Sequence, residues 1–156
     1  MLKIGDKAPD ITLPDAQEQS MSLQDFKDKW VVIYFYPKDN TPGCTIEAID
    51  FTVRKDEFDK LNTVVIGISK DSCQSHAKFI EKRDLTVLLL SDPDHKVQDA
   101  YGVWQPKKFM GREFLGTLRS TFIVDPKRTI RYVNYKVSAK GHAQEMLETV
   151  KELQKA

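Results

Sequence analysis

The sequence has little of what defines several large classes of protein. It contains only two cysteines, Cys44 and Cys73, and three histidines in 156 residues. Two cysteines cannot build the disulfide scaffold of a small secreted protein. A structural zinc site needs about four ligands, and Cys73 and His76 form an isolated pair in the sequence. We therefore expect no metal site, and the chemistry of the two thiols is what needs an explanation.

An excess of charge of one sign and a long apolar segment are also missing. The chain has 24 basic and 23 acidic residues, a net charge of +1, so no field favours nucleic acid or an anionic membrane as a partner. The longest apolar run, residues 30–36, is far shorter than the roughly 20 residues of a membrane span. We therefore expect a soluble cytoplasmic protein. Because a domain averages about 150 residues, we also expect one domain over residues 1–156.

Four short runs of β-branched and aromatic residues predict strands. They are continuously apolar rather than alternating, which is typical of strands buried on both faces of a sheet. An alternating fifth run follows the fourth after Asp125 and Pro126 and predicts an antiparallel hairpin. Segments with helical spacing lie between the strands, so the fold class is α/β with a mixed sheet. The five runs are residues 31–36, 64–68, 87–90, 121–124 and 130–135.

Apolar spacing of three and four residues predicts the buried faces of the helices. A short helix should end at Gly102, which can serve as a C-terminal cap. The stretch of residues 105–119 has no clear period, and we expect a mobile loop there. The predicted apolar faces are Ile46, Ile49 and Val53, then Cys73, Ala77 and Ile80, and in the last helix Ala143, Met146, Leu147, Val150 and Leu153.

Cys44 lies where a buried strand passes through a loop rich in proline and glycine into a helix. The N-terminus of a helix has unpaired N–H groups and a positive dipole end, which stabilise a thiolate relative to a thiol. The sequence thus predicts a nucleophile that needs no histidine base. The alternative is a buried cysteine that acts as a small apolar side chain, a common role for free cysteines.

Pro37, Thr41 and Cys44 form a Pro-x-x-x-Thr-x-x-Cys motif at this strand-to-helix turn. With the motifs around it, the sequence resembles the peroxiredoxins, and within them the peroxiredoxin Q or bacterioferritin comigratory protein subfamily. The resemblance covers nearly the whole chain and implies a thioredoxin-like fold with a mixed central sheet flanked by helices. The other motifs are GDKAP at residues 5–9, YFYP at 34–37, TPGC at 41–44, GIS at 67–69, SHAKF at 75–79, LSD at 90–92, YGVW at 101–104 and RSTFIVD at 119–125.

The resemblance implies a thiol peroxidase that reduces hydrogen peroxide and organic hydroperoxides. Cys44 would be the peroxidatic cysteine, attacking an oxygen of the peroxide and becoming a sulfenic acid. The Thr41 hydroxyl would accept from the peroxide and donate to sulfur or oxygen, with Gly43 and Cys44 as backbone donors. Pro37 would stiffen the pocket. The family's active-site arginine corresponds to Arg119, a permanent cation for the thiolate and the peroxide.

Two further residues remain open between alternatives. Glu47 stands three residues after Cys44 and either orients Arg119 or only complements the helix dipole. Cys73 is a candidate for the resolving cysteine, because the position used by many members of the subfamily, five residues after Cys44, holds Ile49. Otherwise an external thiol attacks the Cys44 sulfenic acid directly, and Cys73 belongs to an apolar helix face.

The resemblance implies no cofactor, a monomer, and recycling by thioredoxin or another thiol reductant. A thiol–disulfide oxidoreductase is not favoured, because Thr41 stands where the first cysteine of a Cys-x-x-Cys motif would be. The alternative from another class is a non-enzymatic peroxide sensor, in which oxidation of Cys44 changes a binding surface. Steady-state peroxide consumption separates the two, because a sensor turns over slowly or once.

Overall fold

The structure is a computed structural model that describes residues 1–155. A sheet of five strands forms its centre, and two short antiparallel pairs lie outside it. The strands are β1 (Thr12–Pro14), β2 (Ser20–Ser22), β3 (Trp30–Phe35), β4 (Thr63–Ser69), β5 (Leu88–Ser91), β6 (Trp104–Phe109), β7 (Arg112–Thr117), β8 (Ser120–Val124) and β9 (Ile130–Asn134). The helices are α1 (Pro42–Val53), α2 (Lys55–Lys60), α3 (Cys73–Arg83), α4 (Lys96–Ala100) and α5 (His142–Lys155), with a 3-10 turn over Leu23–Phe26.

The central sheet is mixed, in the order β5-β4-β3-β8-β9. The first three strands in this order run parallel to one another, β8 pairs antiparallel with β3, and β9 closes the sheet as a hairpin with β8. The predicted α/β class and the closing hairpin are therefore confirmed. The chain enters α1 from the carboxyl end of β3, a strand with neighbours on both sides.

Both faces of the sheet are buried, which explains the continuous apolar runs. Alternate side chains of β3 enter two separate cores. One core contains Val31, Ile33 and Phe35 with residues of α4 and the amino-terminal segment. The other contains Val32 and Tyr34 with residues of α1, α3 and α5, and Cys44 belongs to it.

An aromatic stack connects α1 to the sheet in this second core. The ring of Tyr34 on β3 stacks on Phe51 of α1, with centroids 4.7 Å apart. Gly67 is the partner of Tyr34 on β4. A Cβ atom at Gly67 would lie 2.7 Å from Cζ of Tyr34, so only glycine leaves room for the ring at this position.

The predicted face of α1 is wrong, and that of α3 is wrong in part, because Ile80 is half-buried against the second core but Ala77 is not. In α1, the exposed side chains are Ile46, Ile49 and Val53, whereas Cys44, Glu47, Ala48 and Phe51 are buried. In α3, Ala77 is exposed, and the buried residues are His76 and Phe79. Both errors have one cause: these helices bury polar side chains that find partners in the core, and a pattern based on apolar spacing assigns such side chains to solvent. The face of α5 is as predicted, with Ala143, Met146, Leu147 and Val150 buried and Leu153 half-buried.

The predicted loop over residues 105–119 is also wrong, because β6 and β7 pair there as an antiparallel hairpin. The two residues at its tip, Met110 and Gly111, both have positive φ, as a two-residue hairpin turn of type I′ requires. Most side chains of both strands are exposed, and β6 carries two lysines, so the sequence shows no alternation of apolar and polar residues. Within the described residues, no helix combines the length and the apolar character needed to cross a membrane.

Candidate active site

Cys44 lies in the first turn of α1, at the end of the loop that follows β3. Thr41 is the N-cap, its carbonyl accepts from the backbone N–H of Thr45 at 2.8 Å, and Pro42 begins the helix. The N–H groups of Gly43 and Cys44 have no acceptor within the helix. Cys44 is 1% exposed and is a free thiol. A buried thiol thus lies in the first turn of the helix, near its N-terminus.

Arg119 lies between β7 and β8 and contacts this sulfur. Its Nη2 is 3.2 Å from Sγ of Cys44, and its Nη1 donates to Oε1 of Glu47 at 2.7 Å. Gly43 favours this approach, because a Cβ there would lie 3.1 Å from Nη2 of Arg119, a tight contact. The structure therefore brings together four of the predicted residues, Cys44, Arg119, Glu47 and Gly43.

The charges of this group depend on one another. Burial raises the pKa of Glu47 from 4.5 to about 7, and Arg119 opposes that shift. For Arg119, burial alone would lower the pKa, but the charges of Glu47 and Cys44 more than offset it, and the pKa is raised. Arg119 therefore remains positively charged beside the sulfur. Oε2 of Glu47 is buried without a hydrogen-bond partner.

Thr41 takes a different orientation from the predicted one. Its hydroxyl donates to the backbone carbonyl of Lys38 at 2.8 Å, so its hydrogen is committed to the loop rather than to sulfur. Its oxygen keeps acceptor capacity. Pro37 is half-buried at the start of the same loop, and Asn40 within it adopts a left-handed conformation with φ of 59°.

Cys73 is not joined to Cys44 in this structure, and both thiols are free. It is half-buried at the first position of α3. The Ser72 hydroxyl caps this end by accepting from the backbone N–H of Ser75 at 3.1 Å. Because Cys44 lies inside the core and Cys73 begins a capped helix, a disulfide requires movement of at least one of them.

Sequence reasoning missed a buried polar cluster beside the same loop. Asp39, Asp71 and His76 place potential metal-ligand atoms within 4.8 Å of one another. Hydrogen bonds explain this proximity: Nδ1 of His76 is 2.7 Å from Asp39, and the Asp39 N–H donates to Asp71 at 2.8 Å. The only signal in the sequence was a histidine at a helical spacing that fits the buried face.

Comparison with known proteins decides the family. The AhpC/TSA family model matches residues 4–133. The chain belongs to the AhpC/TSA family. Its relatives include a putative peroxiredoxin Bcp of Helicobacter pylori, 48% identical over 96% of this chain and 98% of that protein, and the peroxiredoxin Bcp of Bacillus subtilis, 45% identical over 97% of each.

Solved structures agree with this peroxiredoxin assignment. A Cys→Ser mutant of the Xylella fastidiosa peroxiredoxin Q superimposes with a TM-score of 0.93 at 34% identity, covering 99% of this chain and 98% of that one. Xanthomonas campestris peroxiredoxin Q gives 0.86 at 37% identity, over 91% and 90%. The resemblance in the sequence and the thioredoxin-like fold are thus confirmed. This peroxiredoxin is a thiol peroxidase that takes a peroxide as substrate and is recycled by a thiol reductant. A non-enzymatic sensor is not favoured.

Proposed function

We propose that Cys44 is the peroxidatic cysteine of this thiol peroxidase. One observation carries the assignment: the Cys44 sulfur is buried at the N-terminus of α1, with Nη2 of Arg119 at 3.2 Å. A cation and a helix dipole at one sulfur favour its thiolate form. Cys73 is also in the first turn of a helix. Among the described residues, however, no arginine donates a hydrogen bond to its sulfur, whereas Arg119 does so to that of Cys44.

The first step is a displacement at oxygen. The Cys44 thiolate attacks one oxygen of the hydroperoxide, an S–O bond forms, the O–O bond breaks, and water or an alcohol leaves after taking up a proton. Negative charge moves from sulfur to the departing oxygen in the transition state. Arg119 and the free N–H groups of Gly43 and Cys44 are fixed donors near that path.

Thr41 is proposed to receive the peroxide. Its hydroxyl donates to Lys38, so its lone pairs are what it can offer to a substrate, and a hydroperoxide O–H is a donor. This orients the peroxide oxygen toward the sulfur. Glu47 is proposed to hold Arg119 in place through the 2.7 Å ion pair, the first of the two alternatives considered for it.

Both hydrogen peroxide and organic hydroperoxides are proposed as substrates. The bacterioferritin comigratory protein of Xanthomonas campestris has alkyl peroxide reduction activity. That protein is 37% identical to this chain over 91% of its length, which supports the same class of substrate here. Pro37 restricts the backbone at the start of the loop.

For recycling we propose Cys73 as the resolving cysteine and thioredoxin as the reductant. The sulfenic acid of Cys44 and the Cys73 thiol would condense to a disulfide and release one water, and thioredoxin would reduce this disulfide by thiolate exchange. Cys73 is half-buried at a helix end, where unwinding is less costly than within a helix. We further propose that residues 1–156 act as one domain, as a monomer, in the cytoplasm.

Replacement of Cys44 tests the central assignment. Cys44→Ser should abolish peroxide consumption in a steady-state assay with thioredoxin and thioredoxin reductase, because the described residues supply no other thiolate beside an arginine. Cys73→Ser is the matched control, since it also removes one thiol but should still react once with peroxide at the wild-type rate. Turnover retained by folded Cys44→Ser would overturn the proposal.

A further inference from the structure

A buried polar cluster joins the loop before α1 to the first turn of α3, and none of the proposed chemical steps uses it. Its centre is the Asp39 carboxylate, which accepts from the hydroxyls of Tyr36 at 2.7 Å and Ser75 at 2.8 Å. Nδ1 of His76 lies 2.7 Å from Oδ2 of Asp39. Asp39 is 7% exposed and His76 is fully buried, so these bonds have little competition from water.

The hydrogen-bond partners of His76 show that a proton joins it to Asp39. Nε2 of His76 lies 2.9 Å from the carbonyl oxygen of Leu90. A carbonyl only accepts, so Nε2 carries a hydrogen. Nδ1 then either donates to the Asp39 carboxylate or accepts from its protonated form. In both states one proton lies between the two residues, and they remain bonded.

On one side, this cluster fixes the peroxidatic loop. The backbone N–H of Asp39 donates to Asp71 at 2.8 Å. The next residue, Asn40, has a left-handed backbone and accepts from Arg83 of α3 at 3.3 Å. Thr41, the N-cap of α1, follows immediately. Any shift of Asp39 is therefore transmitted to the start of the helix that carries Cys44.

On the other side, the cluster fixes the helix end that carries Cys73. Ser75 and His76 are two and three residues after Cys73 in the first turn of α3. Unwinding of that turn breaks the Ser72 cap and both contacts with Asp39. A disulfide brings two Cα atoms within about 7 Å, and opening of this end of α3 is a route by which Cys73 can approach Cys44.

We propose that Asp39 and His76 are positioning residues that hold the peroxidatic loop against α3, and that separation of this pair limits how fast Cys73 reaches the Cys44 sulfenic acid. The second clause rests on the resolving role proposed for Cys73. The reaction concerned is the condensation of sulfenic acid and thiol to a disulfide with release of water. While the pair is closed, the sulfenic acid is exposed to a second peroxide and to sulfinic acid formation.

Two substitutions of His76 test its hydrogen bond to Asp39 separately from its hydrogen bond to Leu90 and from its packing. His76→Asn keeps an amide nitrogen at the position of Nδ1 and can donate to Asp39, but it loses Leu90. His76→Gln reaches Leu90 from the position of Nε2 and loses Asp39. Asn is one methylene smaller than Gln, so a role in packing alone would affect His76→Asn at least as strongly as His76→Gln. Ser75→Ala is a milder third variant that removes one bond to Asp39 without altering the core.

Native-state hydrogen exchange measures the opening without involving either thiol. We expect amides of the loop before α1 and of the first turn of α3 to exchange about tenfold faster in His76→Gln, the equivalent of about 1.4 kcal/mol. His76→Asn should stay within about threefold of wild type, and Ser75→Ala should change in the same direction as His76→Gln. Amides of α5 serve as the internal reference for global unfolding. Equal acceleration in the Asn and Gln variants would overturn the proposal.

Rapid-quench mass spectrometry after one equivalent of peroxide measures the consequence for recycling. In His76→Gln, oxidation of Cys44 should remain within about twofold of wild type, because the closed state still predominates. Disulfide formation should become about tenfold faster, and more peroxide should be needed to reach the same sulfinic acid level. Faster exchange with unchanged disulfide formation would overturn the rate-limiting role. If oxidised wild type forms no disulfide, the resolving role of Cys73 fails instead, and the exchange rates alone decide whether the pair holds the loop.

Discussion

Two buried carboxylates, Asp39 and Glu47, lie eight residues apart in the sequence, and they differ in how many hydrogen bonds they form. Asp39 has three side-chain hydrogen-bond partners around its two oxygens, Tyr36, Ser75 and His76. Glu47 uses one oxygen for Arg119 and leaves the other without a partner. Both are buried, yet only Asp39 is fully satisfied.

This difference corresponds to two tasks. A fully bonded carboxylate is costly to displace, which suits a residue that holds a loop in place. The Glu47 carboxylate has a hydrogen bond at only one oxygen, so its negative charge is poorly compensated. Its burial therefore raises its pKa. That charge acts on Arg119, the cation that contacts the Cys44 sulfur. In the proposals made above, the Asp39–His76 pair controls the position of the loop, and the Glu47–Arg119 pair controls the electrostatics at the Cys44 sulfur.

Arg119→Met should give the largest effect and separates the two pairs most sharply. It removes the donor 3.2 Å from Sγ of Cys44, and loss of such a donor slows chemistry by about 10²-fold or more. Stopped-flow oxidation by hydrogen peroxide measures this rate, and thiolate absorbance reports the charge on sulfur. Arg119→Lys is the matched control, which restores the cation without the forked geometry. A loss no larger than that in His76→Gln would remove the distinction between the pairs.

Glu47→Gln tests whether the half-bonded carboxylate titrates as its burial implies. Because burial raises the pKa of Glu47 from 4.5 to about 7, the folded protein binds more protons than the unfolded chain in that range. The contribution of Glu47 to the free energy of unfolding therefore falls by about 3 kcal/mol as pH rises from 4.5 to 7. Urea unfolding of Glu47→Gln should show a gain relative to wild type of that size across the same range.

His142→Gln is the control of opposite sign for this experiment. Burial, followed by the charge of Arg119, lowers the pKa of His142 from 6.5 to about 4, so the folded protein binds fewer protons than the unfolded chain between these values. The contribution of His142 to stability is lost as pH falls through this range. Relative to wild type, the variant should gain stability toward acid. The difference in unfolding free energy between variant and wild type should change with pH in opposite directions for Glu47→Gln and His142→Gln. A change in the same direction would contradict the two pKa shifts.

Cys73→Ser should have the smallest effect on the first step and the clearest effect after it. Its sulfur has no part in the contacts around Cys44, so the rate of peroxide attack should remain within about twofold of wild type. Sulfinic acid should accumulate at lower peroxide, because no internal thiol traps the sulfenic acid. Intact-mass measurement over a peroxide titration gives both results. Equal sulfinic acid in variant and wild type would favour direct attack by an external thiol.

The sequence predicted the pair at Glu47 better than the pair at Asp39, for a physical reason. Cys44, Glu47 and Gly43 are adjacent in one helix turn, and the motif at Arg119 supplied the fourth member. Asp39 and His76 are 37 residues apart, and nothing in composition or spacing brings them together. The partner of a buried polar side chain is set by the packing of α3 against the sheet, which hydrophobic periodicity does not encode.

The same limit explains the errors in the helices and the success with the sheet. The strands around Val32 and Ile123 are apolar on both faces, so their burial follows from composition alone. The exposed face of α1 carries Ile46 and Ile49, because the opposite face is reserved for Cys44 and its partners. Where a helix faces a reactive site, apolar spacing indicates the wrong side.

The stack of Gly67, Tyr34 and Phe51 sets the spacing between the sheet and the helix that carries Cys44. The ring of Tyr34 lies against bare backbone at Gly67, and the ring of Phe51 lies on Tyr34. Flat rings are incompressible and have only two torsions each, unlike the flexible side chains that usually separate a helix from a sheet. They act as a rigid spacer of fixed thickness. The middle of the helix that carries Cys44 therefore has little freedom to move toward or away from the sheet.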